Sequence, residues 1–180
     1  MANRTLVRHP ASQGSAGLMC AVEVSMLHSC ALQLDYRVTG DTDVLKLPPI
    51  ANPERADNLW QTTCFELFVA LDGGKYAEFN FSPSTCWAGY RFEGYRNGMQ
   101  VLTGVEPVVR FAVEREALRL TAILDLGNLV RDLNGPAGIS AVLEQRDGKT
   151  SWWALNHPGG KPDFHHWDCF ALKLGAARES

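Results

Sequence analysis

Several features that would direct a first interpretation elsewhere are missing from this 180-residue chain. It has no run of the roughly 18–20 apolar residues that a membrane-spanning helix needs, and no apolar stretch follows the basic residues of its first ten positions, as a secretion signal would require. Seventeen basic and twenty acidic residues give a net charge of −3, which disfavours a protein that grips nucleic-acid phosphates. We therefore expect a cytoplasmic protein with neither a nucleic-acid nor a membrane partner.

The cysteines and the missing catalytic motifs exclude further classes. The cysteines are odd in number and contain no Cys-x-x-Cys pair, which argues against a disulfide framework and favours reduced, buried thiols. The chain also has neither the Gly-x-Ser-x-Gly motif of serine hydrolases nor the His-Glu-x-x-His motif of zinc proteases, so we expect a protein that is not an enzyme. The five cysteines are Cys20, Cys30, Cys64, Cys86 and Cys169.

Alternation of apolar and polar residues dominates what is present. It is clearest in Cys30–Thr39 and Leu118–Leu126, and this period of two predicts half-buried strands. A short helix is predicted only at Leu126–Leu133. The sequence thus predicts one all-β domain over residues 1–180, an antiparallel β-sandwich with about nine to eleven strands and at most one or two short helices. The other predicted strands are Leu18–Leu27, Cys64–Leu71, Lys75–Phe81, Trp87–Tyr95, Val105–Val113, Gly138–Gln145, Ser151–Asn156 and Cys169–Leu174.

Two hairpins have a register that follows from their turns. A three-residue turn at Asp72–Gly74 pairs an apolar face and leaves Glu66, Glu78 and Asn80 on the other face. A slip of one residue would bury these polar groups in the core, so this register is favoured. The predicted apolar pairs are Phe65 with Phe81, Leu67 with Phe79, and Val69 with Ala77.

The second hairpin contains adjacent tryptophans. A two-residue turn at Asp147–Gly148 predicts that Leu143 faces Trp152 and Val142 faces Trp153. Neighbouring residues of a strand point to opposite faces, so only one of the two indoles can belong to the core.

The strand that begins at Trp87 extends the first hairpin. If its residues Ala88, Tyr90 and Phe92 share the apolar face, the polar face gains Trp87, Arg91 and Glu93. Carboxylates, an amide, a guanidinium and an indole would then lie side by side, as in a site for a polar ligand with a flat face. The structural alternative is that Trp60 and one of Trp152 and Trp153 belong to the core, and that Glu66 forms a cross-strand ion pair with Arg91.

Four segments resemble a known family. They are Leu59–Phe68 (LWQTTCFELF), Tyr76–Pro83 (YAEFNFSP) with Trp87, Trp153–Pro158, and Pro162–His166. Together they resemble DOMON-like domains, which are similar to family 9 carbohydrate-binding modules. The resemblance covers residues 18–174 and implies an immunoglobulin-like or jelly-roll sandwich that binds sugar or haem without catalysis.

The resemblance also implies roles for particular residues. In family 9 modules two indoles enclose a sugar, so Trp87 and either Trp60 or Trp153 would be the walls of the site. Aromatic rings cover the apolar face of a pyranose, while Glu66, Asn80 and Arg91 would bind its hydroxyl groups.

Two alternatives to sugar binding remain open. The C-terminal loop has ligands suited to zinc or iron, although a loop that merely stabilises its own turns explains them as well. Calcium and haem are further candidates, and a broad apolar patch would indicate a protein-binding sandwich instead. The candidate metal ligands are His157, Asp163, His165, His166 and Asp168, those for calcium are Asp41, Asp43 and Asp57, and those for haem are Met19, Met26, Met99 and His28.

Overall fold

The protein is an all-β sandwich of two antiparallel sheets. The structure, a computed structural model, describes residues 2–14, 17–129 and 135–174. Its strands are β1 (Ala2–Thr5), β2 (Val7–Arg8), β3 (Met19–His28), β4 (Ala31–Thr39), β5 (Cys64–Ala70), β6 (Tyr76–Phe81), β7 (Trp87–Phe92), β8 (Gln100–Val101), β9 (Val108–Val113), β10 (Ala117–Asp125), β11 (Pro136–Glu144), β12 (Thr150–Ala154) and β13 (Leu172–Lys173).

Sheet A contains five strands in the order β1-β3-β4-β10-β9, and sheet B contains eight. The order in sheet B is β2-β12-β11-β5-β6-β7-β8, and β13 pairs with β11. The chain passes from sheet A to sheet B at Leu6, whose side chain is buried between β1 and β2. The predicted fold class is therefore confirmed.

Helical structure among the described residues is limited to three-residue 3₁₀ turns. In the predicted helix Leu126–Leu133, residues 127–129 form a turn, and residues 130–133 lie outside the described residues. None of the helices in the described ranges is long and apolar enough to cross a membrane. The 3₁₀ turns are Thr42–Val44, Leu59–Gln61, Asp72–Gly74 and Trp167–Cys169.

The main core lies between the two sheets. Alternate residues of the longer strands point into it, which is what the period of two predicts. Tyr36 is fully buried there, and its hydroxyl donates a 2.8 Å hydrogen bond to the Glu66 carbonyl of the opposite sheet. Four of the cysteines are buried and Cys30 is partly buried.

The first predicted hairpin is confirmed and the second is wrong by one residue. Phe65, Leu67 and Val69 oppose Phe81, Phe79 and Ala77 as predicted. In the second hairpin, by contrast, Trp152 faces Val142 rather than Leu143, and Trp153 faces Ala141. The turn has three residues, Arg146–Gly148, because Gln145 N–H donates to the Lys149 carbonyl and Gly148 adopts a φ of 82°. Aspartate–glycine pairs suit this longer turn as well as the two-residue one.

Sheet B is buried on both faces. Its inner face packs on sheet A, and its outer face lies beneath Leu59 and a C-terminal cover, residues 155–171. The cover contributes Phe164 and Phe170 to a second apolar cluster. The other buried members of this cluster are Phe68, Tyr76, Ala88, Tyr90, Phe92, Val142 and Ala154.

Candidate functional site

The predicted ligand face is divided between the two sides of sheet B. Trp87 lies opposite Phe81, and Arg91 lies opposite Ala77, so both belong to the inner face. Glu66, Glu78 and Asn80 belong to the outer face, with Ala88, Tyr90 and Phe92 beside them. The prediction that the Glu66 carboxylate and the Trp87 indole share one face is therefore wrong. Apolar residues occupy both faces of sheet B, so their alternation does not indicate which face is which.

The predicted ion pair and aromatic walls are also rearranged. Arg91 approaches Glu93, with Nε 3.6 Å from Oε1, and not Glu66 on the other face. Trp87 packs against the inter-sheet core, and Trp153 is buried in it with its indole N–H donating to Ser151. Trp152 is half-buried against the cluster on the outer face. Trp60 is the one predicted wall that is clearly accessible, at 50% exposure.

The outer face instead holds a buried acidic cluster, defined by Glu66, Glu78, Asn80 and Ser140. Ser140 Oγ donates to Glu66 Oε2 and Asn80 Nδ2 donates to Glu78 Oε1, both at 2.8 Å. Burial, with the neighbouring Glu78, raises the pKa of Glu66 to about 8. Burial also raises the pKa of Glu78, although Asn80 opposes this shift. At neutral pH the cluster therefore retains a proton.

His165 connects the C-terminal cover to this cluster. Its Nδ1 lies 2.7 Å from the Tyr76 hydroxyl, which also accepts the Arg96 N–H, and its Nε2 lies 3.7 Å from Glu78 Oε2. Burial and then the charge of Arg96 lower the pKa of His165 to about 4, so the ring is neutral at neutral pH. The imidazole thus packs against the acidic cluster without adding a charge to it.

The predicted metal ligands are held apart by other partners. His157 Nε2 contacts the Val7 carbonyl, His166 Nδ1 accepts the Asp168 N–H, and Asp163 is engaged by Tyr95 and Arg96. No group of three His, Cys, Asp or Glu side chains that could hold a metal occurs among the described residues. Metal binding at His157, Asp163, His165 and His166 stays a prediction, and these four side chains do not form one shared site.

The calcium and haem candidates are likewise dispersed. Asp57 is bonded to Arg55 and to the Tyr90 hydroxyl, each at 2.7 Å, whereas Asp41 and Asp43 line a separate cleft of about 440 Å³ at one end of sheet A. Met19, Met26 and His28 belong to β3 in sheet A, while Met99 lies beside β8 at the edge of sheet B.

A second surface cleft of about 560 Å³ lies between the β7–β8 turn and the C-terminal cover. Tyr95 and Arg96 form one wall, and both bind Asp163 on the other. Arg96 uses two nitrogens, with Nε at 3.3 Å and Nη2 at 2.8 Å from Asp163 Oδ1. Although burial opposes it, bonding to Tyr95 and Arg96 lowers the pKa of Asp163. The cleft is also lined by Pro158, Gly159, Lys161, Pro162, His166 and Asp168.

Only part of this cleft is predicted from the sequence. Asp163, His166 and Asp168 are among the candidate metal ligands, whereas Tyr95, Arg96 and Lys161 are not among the candidate site residues. A signal was present in the adjacent tyrosine and arginine of Gly94–Gly98, a glycine-bounded turn in which Arg96 has a φ of 51°. A non-glycine residue with positive φ is uncommon and often marks a functional turn.

The fold is similar to that of solved carbohydrate-binding proteins. The sequence matches no protein-family model and no curated protein. The structure is similar to a "putative carbohydrate-binding protein" from Bacteroides uniformis, with a TM-score of 0.65 at 13% identity, covering 92% of this chain and 82% of the other. It is also similar to a family 9 carbohydrate-binding module from Caldicellulosiruptor kristjanssonii, solved with cellotriose and with glucose.

Both module structures give a TM-score of 0.52 at 12% identity and cover 97% of this chain. The matched regions cover 84% of the module chain in the cellotriose complex and 86% in the glucose complex. A likeness at such low identity concerns the fold, and membership of the DOMON-like group stays a prediction. The chain has the β-sandwich fold of family 9 carbohydrate-binding modules.

Proposed function

We propose that the protein binds a carbohydrate without catalysing a reaction, in the cleft between the β7–β8 turn and the C-terminal cover. The observation that supports this most directly is the half-exposed ring of Tyr95 beside fixed hydrogen-bonding groups in a concave surface. The fold supports it as well, because a family 9 module of this fold has been solved with cellotriose and with glucose.

The lining of the cleft suits the two surfaces of a sugar. An aromatic ring packs against the apolar C–H face of a pyranose, and Tyr95 is 51% exposed. Arg96 and Lys161 supply hydrogen-bond donors for hydroxyl oxygens, while Asp168 supplies an acceptor. The Arg96–Asp163 pair holds the wall in place before a ligand arrives, which reduces the entropy lost on binding.

The state of the carboxyl groups supports the proposal that the protein does not hydrolyse glycosides. A glycoside hydrolase needs two carboxyl groups at its substrate, one of them an acid with a raised pKa. The groups with raised pKa values are Glu66 and Glu78, which are buried beneath the cover and do not line the cleft. Asp163, which does line it, has a lowered pKa.

Calorimetric titration with glucose and cellotriose tests the proposal. We expect wild type to bind at least one of them and Tyr95→Ala to lose that binding, because the stacking surface is removed. Trp60→Ala is the matched control, since Trp60 is equally exposed but does not line this cleft. If Trp60→Ala abolishes binding and Tyr95→Ala does not, the cleft is not the site. If neither sugar releases or absorbs heat when it is added to wild type, the choice of ligand is wrong.

A further inference from the structure

The last strand of sheet A is an unprotected edge. β9 has six residues, whereas the other terminal strands described have four (β1) or two (β2 and β8). Short strands are a common way to blunt a sheet edge, and so are prolines and charges. Within β9 the sequence Val-Val-Arg-Phe-Ala-Val contains a single charge and no proline.

The backbone of β9 presents free hydrogen-bonding groups to this edge. Glu114 N–H donates to the Ala117 carbonyl at the turn into β10, and successive residues of an antiparallel ladder bond to alternate sides. The N–H and C=O groups of Val109, Phe111 and Val113 therefore point away from β10. No described residue supplies them with a partner.

Apolar side chains surround the same edge. Val108 and Val113 are 51% and 69% exposed, and Phe111 is only partly buried. Only six residues connect β8, the terminal strand of sheet B, to β9, so the two strands lie at the same side of the sandwich. Val101 of β8 adds a further exposed apolar side chain there. A long open edge with exposed valines on it is typical of a strand that pairs with another strand.

We propose that β9 pairs antiparallel with β9 of a second copy of this chain, with Ala112 opposite Ala112. This register places Arg110 of each copy opposite Glu114 of the other, forming two cross-strand ion pairs on the solvent side. It also places Phe111 beside Val113 of the second copy and joins their outward backbone groups. The chain is thus complementary to itself in charge, in apolar contact and in hydrogen bonding.

Neighbouring registers lack this complementarity. Placing Arg110 opposite itself brings two guanidinium groups together, which is repulsive. Placing Phe111 opposite itself leaves Arg110 facing Ala112 and Glu114 facing Val108, without a directly opposed ion pair. Glu114 already contacts Arg119 on its own chain at 3.3 Å, so in the proposed register its carboxylate bridges two arginines.

Sedimentation of the full chain over a range of concentrations tests the pairing. The interface is small, so we expect a weak, reversible dimer that is favoured at low salt. Arg110→Glu should raise the dissociation constant by about tenfold or more, because it sets like charges opposite each other twice. The double variant Arg110→Glu/Glu114→Arg should restore the wild-type constant to within about threefold. A monomer at every concentration, or a dimer indifferent to Arg110→Glu, overturns the proposal.

Disulfide trapping tests the register independently. Ala112 would meet its copy at a non-hydrogen-bonded position, where the Cα atoms lie about 4.5 Å apart, within the range a disulfide spans. Ala112→Cys should therefore form a covalent dimer on mild oxidation. Glu23→Cys, exposed in the middle of β3, is the matched control and should not. Equal cross-linking of the two variants contradicts the proposed register.

Discussion

At the scale of single residues, Glu66 has the most consequential environment. The carboxyl pairs with Ser140 on a sheet face where it is 3% exposed, and its pKa in the folded chain is about 8 against an ordinary value of 4.5. The folded chain therefore holds the proton of this carboxyl more tightly than the unfolded chain does. Its contribution to stability is complete below about pH 4.5 and is lost as the pH rises towards 8.

This predicts a pH-dependent difference between wild type and Glu66→Gln. Glutamine is neutral at all pH values, so the variant should gain stability relative to wild type as the pH rises from about 5 to about 8. Urea unfolding at several pH values measures it. His165 has a lowered pKa and acts in the opposite direction below about pH 6.5, but it is common to both proteins and largely cancels.

The control for this prediction is Glu106→Gln, which changes an exposed carboxylate. Its difference from wild type should stay close to zero across the same pH range, because surface substitutions have small effects. A difference for Glu66→Gln that does not change with pH would mean that the carboxyl is solvated in the folded chain.

At the scale of elements, the sequence predicted each strand that forms a sheet centre but not which way β7 faces. The alternation in β4 and β10 is readable because the solvent face of sheet A carries charged and polar residues such as Arg37 and Arg119. In β7 both faces are covered. Ala88 and Tyr90 are apolar because they pack in the cluster on the outer face, and the sequence does not distinguish this packing from packing in the core between the sheets. The cover itself has almost no regular structure and gives no periodic signal.

The cover should nevertheless stabilise the fold as a core element does. Phe170 is 6% exposed and packs against Phe68 and Tyr76, with ring centroids 5.8 Å apart in each case. Phe170→Ala should reduce the free energy of unfolding by about 3–5 kcal/mol, the usual cost of removing a buried aromatic side chain. Chemical denaturation measures this, with exposed Trp60→Ala expected within about 0.5 kcal/mol of wild type. A small effect of Phe170→Ala would show that the cover is loosely attached.

At the scale of the whole molecule, the fold could be predicted and the site could not. The turns and strand periods determine a sandwich, because burying one face of each strand leaves few arrangements. The site depends on a turn residue, Tyr95, meeting a loop residue, Asp163, sixty-eight positions later. No periodic pattern connects such positions, and only the path of the cover brings them together.

The two proposals together predict a difference between soluble and surface-bound ligands. None of the residues that line the cleft belongs to β9, so a dimer joined at β9 leaves both clefts open. A dimer can then engage two sites of an immobilised polysaccharide at once, and the second contact benefits from a high effective concentration. At concentrations where wild type is dimeric, Arg110→Glu should bind glucose or cellotriose as tightly as wild type does. Its affinity for an insoluble glucan should be lower than that of wild type by about tenfold or more. Calorimetry and a pull-down assay on the glucan measure the two quantities. Equal retention of both proteins by the glucan would mean that the pairing of β9 does not bring two clefts to one surface.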